Sequence, residues 1–170
     1  SHAASFALLA YASAWLHYHH PGAFTCALLN SQPMGFYAPH SLVDDALRHG
    51  VPVRPVCIQA SRWDCTLEPV ERTRPALRAP GEGRADGLWA LRLGFRMVSG
   101  LREMDGRSIE EARVGLGRGG YASVGQVARR AHVPRHTLAR LAAADAFASL
   151  GLSRRQAMWQ VQGLYDRSTP

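Results

Sequence analysis

Leu91–Arg113, LRLGFRMVSGLREMDGRSIEEAR, decides how this chain is read. A strand-like apolar alternation (Trp89, Leu91, Leu93) gives way to Val98-Ser99-Gly100-Leu101, and a helix carrying Ile109 and Ala112 follows. Apolar, any residue, Gly, apolar, and then a helix about eight residues on is the pattern of a helix-hairpin-helix turn. A glycine in the hairpin lets the backbone approach a phosphate closely, because no Cβ intervenes. The following helix offers its first N–H groups and the positive end of its dipole. Such a turn grips a nucleic-acid backbone without reading bases. Arg96, Gly100, Leu101, Arg102 and Arg107 are therefore the candidate DNA-binding residues. An ordinary αα-turn with one Gly carries the same letters, and surface Arg is common, so the bland reading stays open beside the functional one.

The composition leans the same way. The chain has 170 residues, one domain or two small ones, with 46% hydrophobic and 19% charged residues, which is globular. Net charge is +7, and all 20 basic residues are Arg. The missing Lys is explained by a GC-rich genome and carries no function; the positive balance favours a polyanion, nucleic acid above all. No basic amphipathic helix with a bulky apolar face points to a membrane surface. Cys26, Cys57 and Cys65 are odd in number and without CxxC spacing, so neither a disulfide framework nor a zinc site is indicated, which fits a reducing cytoplasm. The apolar N-terminal run is broken by Ser5, Ser13 and His17 and is short for a membrane span. It begins Ser-His-Ala-Ala without Met and already in a helical pattern, which reads as a piece of something longer.

Around the hairpin, the sequence predicts a mainly α chain with one small antiparallel β-hairpin. Residues 3–19 form a helix with Phe6, Leu8, Leu9, Tyr11, Trp15 and Leu16 on more than one face, hence mostly buried. Pro21 stops it and opens a second helix over 22–31, with Phe24, Ala27 and Leu28 as its stripe. Ser41 caps a third helix, Leu42–His49, closed by Gly50. Val51–Ile58 is extended and interrupted by Pro52 and Pro55. Arg62–Leu67 and Leu88–Phe95 pair as strands across a Pro-, Gly- and Arg-rich loop at 69–87. The hairpin helix Ile109–Val114, a glycine-rich connector at 115–120, and helices Ser123–Ala131, His136–Ala143 and Ser153–Gln160 complete the chain. A second helix-turn-helix-like unit centres on Val133-Pro134. This gives three segments: a helical one at 1–60, the β-hairpin at 61–94, and a hairpin region at 95–170.

No residue set assembles a catalytic site. Asp44-Asp45 and Glu110-Glu111 are neighbours on helices, about 100° apart, and read as solvated faces rather than a shared metal site. Asp105 belongs in the hairpin helix's first turn, where the dipole favours it. There is no Asp-x-Asp pair, phosphate loop with Lys, or nucleophile elbow. His17, His19 and His20 cluster at a helix end, but imidazoles there are common dipole partners, and no metal ligand is assigned. His2 and Phe6, at i and i+4, share a helix face. They read either as a platform for a nucleobase or as a frayed end beside a core aromatic.

Longer stretches favour one of these readings. SHAASFALLAYASAWLHYHHPGAF at 1–24 resembles the fingers-region helix of bacterial family C DNA polymerases, the DNA polymerase III alpha type. LLNSQPMGFYAPHSLVDDALRHGVPVRPV at 28–56 looks like the error-prone branch of that family, and SRWDCTLE at 61–68, LRLGFRMVSGL at 91–101 and LAAADAFASLGLSRRQAMW at 141–159 agree. The resemblance covers the chain except the loop at 69–87.

It implies the end of the polymerase fingers followed by a tandem helix-hairpin-helix region. Family C polymerases copy a template from deoxynucleoside triphosphates with Mg²⁺ held by palm aspartates, which are not in this segment, so the chain carries no catalytic residue. His2 and Phe6 become nucleotide contacts; replicative relatives have Tyr at the second position, so Phe6 lacks a hydroxyl. Where the family usually has Lys, this chain has His17. The usual second hairpin Gly is Arg102 here, which trades backbone approach for a guanidinium. The implied parent acts in the bacterial cytoplasm in damage-induced translesion synthesis and repair. Its implied partners are primer–template DNA, a sliding clamp and mutasome-type helper proteins. The alternative is a free-standing, sequence-independent double-stranded DNA-binding module.

Overall fold

The computed structural model describes residues 2–35, 37–70 and 89–166; the loop predicted at 69–87 falls outside these from residue 71. The chain is mainly helical and contains a small three-stranded sheet. It divides into two compact units: Ser1–Arg54 with Leu67–Leu91, and Pro55–Thr66 with Arg92–Pro170.

The first unit holds three helices, α1 (His2–His19), α2 (Pro21–Asn30) and α3 (Pro39–Arg48). Pro21 and Pro39 each sit at the start of their helices, where a missing N–H costs nothing and φ is already helical. Pro39 also corrects the predicted start of α3. The helix begins three residues before Leu42 with Ala38 at the N-cap position, and Ser41 lies inside the first turn instead of capping it. Its other end is as predicted. Gly50 has φ 77°, the Gly50 N–H bonds Leu47 O at 3.0 Å, and the Val51 N–H bonds Ala46 O at 3.0 Å, a complete Schellman closure.

Two burial expectations fail here. No residue of α1 is buried, and Phe6, Leu8, Leu9, Tyr11 and Trp15 are exposed. A helix apolar all round needs neighbours all round, and the described residues supply them on too few sides. In α2 the buried line is Pro21, Thr25 and Leu29, with Gly22 beside it. Phe24 and Leu28 are half-buried and Ala27 is exposed, so the inward face is rotated from the predicted stripe.

The strands are β1 (Val53–Arg54), β2 (Thr66–Pro69) and β3 (Trp89–Arg92), in the order β1-β3-β2. The predicted pair is thus joined by a third strand, kept to two residues between Pro52 and Pro55, which cannot donate to a ladder. β2 starts later than predicted because residues 61–64 serve another purpose. Arg62 and Trp63 offer their carbonyls to the Phe95 and Arg96 N–H groups at 2.8 and 3.1 Å, and the buried Ser61 hydroxyl donates to Leu93 O at 2.7 Å. Gly94 passes so close to the Trp63–Asp64 backbone that a Cβ would collide with it.

The second unit is built on α4 (Glu103–Val114), α5 (Val124–Ala131), α6 (Arg135–Ala143) and α7 (Arg154–Asp166). α4 begins six residues before the predicted Ile109, and α7 runs six residues past Gln160. Ser123 caps α5 as predicted, accepting from the Gln126 N–H at 3.1 Å. Ser153 and Gln156 form a capping box at α7: the Ser153 hydroxyl accepts from the Gln156 N–H at 3.3 Å while Gln156 Oε1 accepts from the Ser153 N–H at 2.9 Å. These helices enclose one core of Phe95, Ile109, Tyr121, Val124, Val127, Leu138, Leu141 and Phe147, closed from below by Val56 and Ile58.

Candidate nucleic-acid interface

Phe95–Met97 is a single 3₁₀ turn leading into Val98–Leu101. The Leu101 N–H bonds Val98 O at 3.1 Å, and Gly100 has φ 70°, the positive value a type II turn needs at its third residue. α4 then starts from Arg102, with no side chain capping it. The predicted hairpin is therefore present, and its glycine is required by conformation.

The structure distributes the five predicted contact residues unequally. Gly100, Leu101 and Arg102 form the turn. Leu101 itself is buried in the core and its N–H is already used within the turn, so it shapes the hairpin rather than facing outward. The Arg102 Nε–H donates to Asp105 Oδ2 at 3.2 Å. Arg96 donates to Asp64 Oδ1 at 2.6 Å, and Arg107 to Glu103 Oε1 at 2.7 Å, which raises the Arg107 pKa through that bond. Glu103 and Asp105 lie in the first turn of α4, where they answer the helix dipole themselves. An anion at this helix end meets guanidinium groups that already have carboxylate partners.

One cation beside the turn was not legible in the sequence. Arg140, on α6, donates from NH1 to Ser99 O at 2.7 Å, and its guanidinium occupies the space into which a Cβ at position 100 would project. It lies 41 residues away from Ser99, and only the fold brings it there. A second distant pair fixes the same geometry. The buried Thr137 hydroxyl donates to Asp105 Oδ2 at 2.6 Å, tying the first turn of α4 to α6. Asp105 thus holds Arg102 on one side and α6 on the other, a role beyond the dipole one read from its position.

The second turn follows α5. His132 takes the left-handed conformation (φ 51°, ψ 37°) that glycine would ordinarily fill, and Pro134 leads into α6. Elsewhere in this unit, Gln59, Arg113 and the connector at 115–120 border an open hollow of about 590 Å³. Arg113 donates to Ile58 O at 2.9 Å, and burial lowers its pKa.

In the first unit, the His2 and Phe6 rings meet edge to face, with centroids 4.6 Å apart and both side chains exposed. The predicted shared face exists. The histidine cluster divides: His19 and His20 gather on the Trp15 ring (centroids 4.5 and 5.7 Å), whereas His17 turns to Asp45.

Two successive turns, each leading through a left-handed residue into a helix, define a tandem helix-hairpin-helix unit. The family model described as "Helix-hairpin-helix motif" matches residues 50–157, and the chain belongs to that family. The curated relatives narrow this further and bear out the resemblance read from the sequence. The chain is 51% identical over 171 residues to error-prone DNA polymerase 2 of Agrobacterium fabrum, covering 100% of this chain and 14% of that protein. It is 52% identical over 171 residues to error-prone DNA polymerase 1 of the same organism, covering 100% and 15%. It is 51% identical over 164 residues to the error-prone DNA polymerase of Ruegeria pomeroyi, covering 96% and 13%. The chain thus spans only about 14% of the length of such relatives. No helix among the described residues is long and apolar enough to cross a membrane.

Proposed function

We propose that the chain is a segment of an error-prone, DNA-directed DNA polymerase, contributing duplex-backbone contacts from its second unit and incoming-nucleotide contacts from its first. The observation that carries this is the roughly half identity with error-prone DNA polymerases across the full chain. The duplex contact is the Gly100 turn, with Arg102 and Arg140 as its exposed cations; Arg96 and Arg107 act as a second rank, released from their carboxylates when phosphates replace them. Leu101 acts by holding the turn. His2 and Phe6 present a ring edge and face to a base or sugar. The parent polymerase acts in the bacterial cytoplasm in damage-induced translesion synthesis and repair. There it engages primer–template DNA, deoxynucleoside triphosphates, a sliding clamp and mutasome-type helpers.

The residues of this chain do not supply the metal chemistry of nucleotidyl transfer. In the parent, Mg²⁺ would neutralise phosphate charge, held by aspartates that the resemblance places outside this segment. The purified chain alone accordingly extends no primer, and Mg²⁺-dependent extension by it would overturn that statement.

Binding to a fluorescent primer–template duplex across a salt series tests the duplex contact. Six phosphate contacts give a log–log slope of about −5. Gly100→Asp and Arg140→Ala should each weaken binding irrespective of sequence, and Arg140→Ala should make the slope shallower by about one. Binding that is absent, or unmoved by both variants, would reduce the hairpin to a turn.

A further inference from the structure

The most developed cluster outside the nucleic-acid interface lies in the first unit, where His17, Asp45 and His49 converge. His17 is on the last turn of α1; Asp45 is on α3 and His49 just follows it. His17 Nε2 stands 2.8 Å from Asp45 Oδ2, and His49 Nδ1 stands 3.5 Å from Asp45 Oδ1. The two imidazole rings meet edge to face with centroids 4.6 Å apart. One ligand atom from each residue can be chosen so that all three lie within 4.8 Å of one another. All three side chains are about one third exposed, so an ion reaches them from solvent without the unit opening.

We propose that His17, Asp45 and His49 form a three-ligand site for a borderline first-row dication such as Zn²⁺, a site independent of the polymerase reading. Two imidazole nitrogens and one carboxylate oxygen are a donor set such ions accept, with a fourth position left for water. Ligands about 2.0–2.1 Å from a tetrahedral ion stand about 3.3–3.5 Å from one another. The 2.8 and 3.5 Å separations are to different oxygens of the Asp45 carboxylate, and one choice of ligand atoms keeps all three within 4.8 Å, so small side-chain rotations bring a single oxygen and both nitrogens to that spacing.

Three existing contacts must yield, and each can. The His17–Asp45 hydrogen bond is replaced by two bonds to the same ion. His49 Nδ1 gives up its 2.8 Å contact with Asp45 O, but that carbonyl keeps the His49 backbone N–H at 3.0 Å. Arg48, whose NH2 lies 3.5 Å from Asp45 Oδ1, is largely exposed and free to swing into water as the dication takes its place. Phe24, 5.4 Å from the His17 ring, walls one side of the site.

Such an ion would pin the end of α1 to the end of α3. That matters because α1 has no buried residue to hold it. His17 is the deciding ligand, since a lysine at this place could pair with Asp45 but, protonated, could not bind metal.

The test is equilibrium dialysis of the full 170-residue chain against Zn²⁺, with Co²⁺ absorption as a report of coordination. One equivalent should bind. His17→Lys, which keeps a cation facing Asp45, and His49→Gln should each weaken binding by about tenfold or more. His19→Gln, removing the histidine on Trp15, should leave it unchanged. Absence of saturable one-equivalent binding would overturn the site, as would binding that survives both ligand variants or disappears with His19→Gln. If a variant unfolds by circular dichroism, the wild-type chain decides: Zn²⁺-dependent shifts of the His17 and His49 ring resonances support the site, and their absence overturns it. Duplex binding is measured separately, so failure of either reading leaves the other standing.

Discussion

α1 and α5 both present apolar side chains, but only those of α5 are buried by this chain. α1 runs for 18 residues with Leu, Phe, Tyr and Trp on every side, and none of its residues is buried. α5 has eight residues and apolar groups on one side only, yet it buries Val124, Val127 and Ala131 completely or nearly so. Apolar content states a demand for a covering surface; periodicity states where that surface must be. α5 carries both and finds α4, α6 and α7 around it. α1 carries the demand in every direction, and the described residues meet little of it.

The largest expected effect lies in the second unit's core. Phe95 is fully buried at the foot of the hairpin. Phe95→Ala should cost about 3–5 kcal/mol in urea unfolding of the chain. A loss under about 1 kcal/mol would mean that this core is no denser than the surroundings of α1. Next comes the buried polar tie between α4 and α6. Asp105→Ala leaves the Thr137 hydroxyl without its carboxylate and should cost about 1–3 kcal/mol. Thr137→Val should cost less in the Asp105→Ala background than in the wild type, because the donor is then already stranded. Simple additivity in that double-mutant cycle would show that the two hairpins are not coupled through Asp105.

Packing also appears in proton chemistry. Burial pushes the Cys65 thiol above its ordinary pKa of 9.0, outweighing the Gly94 N–H and the Arg96 charge that pull it down. Burial likewise raises Tyr121. Both groups are neutral when folded below their ordinary values, so their contribution is intact at neutral pH. The unfolded forms ionise first, so stability falls as pH rises beyond 9.0, first for the thiol. Cys65→Ala should flatten the onset of this alkaline loss. An unchanged profile would show that the thiol is not buried in solution. In native protein at pH 8, Cys65 should also alkylate more slowly than the half-buried Cys57, with the gap closing in urea.

How far the sequence could be read follows from the range of each signal. The Gly100 turn, the Ser123 and Ser153 caps and the Gly50 closure depend on residues a few positions apart, and each is present. α4 starts before the predicted Ile109 because Glu103–Ser108 is largely polar and carries no apolar periodicity, whereas α7 continues past Gln160 through Val161 and Leu164, which extend its inward face. His2 and Phe6 meet as an i, i+4 pair should. Arg140 over Gly100, Thr137 on Asp105 and His17 on Asp45 involve partners 41, 32 and 28 positions apart, and no local pattern announces them. The positive charge of the chain was legible, but its disposition was not, because Arg96, Arg102 and Arg107 each face a carboxylate.

The smallest expected effect is on α1. Leu8 is 68% exposed on α1. Leu8→Ala removes little buried area and swaps one good helix former for a better one, so the chain's stability should change by no more than about 0.5 kcal/mol. A loss above about 1 kcal/mol would mean that α1 packs in solution against something the described residues do not show, such as a second copy of the chain, and the effect would then grow with protein concentration. If the chain is a polymerase segment, the same substitution in the longer polypeptide should cost about 2–5 kcal/mol, the range for a leucine inside a core. The difference between the two contexts is then a direct measure of the surface that α1 demands and this chain does not provide.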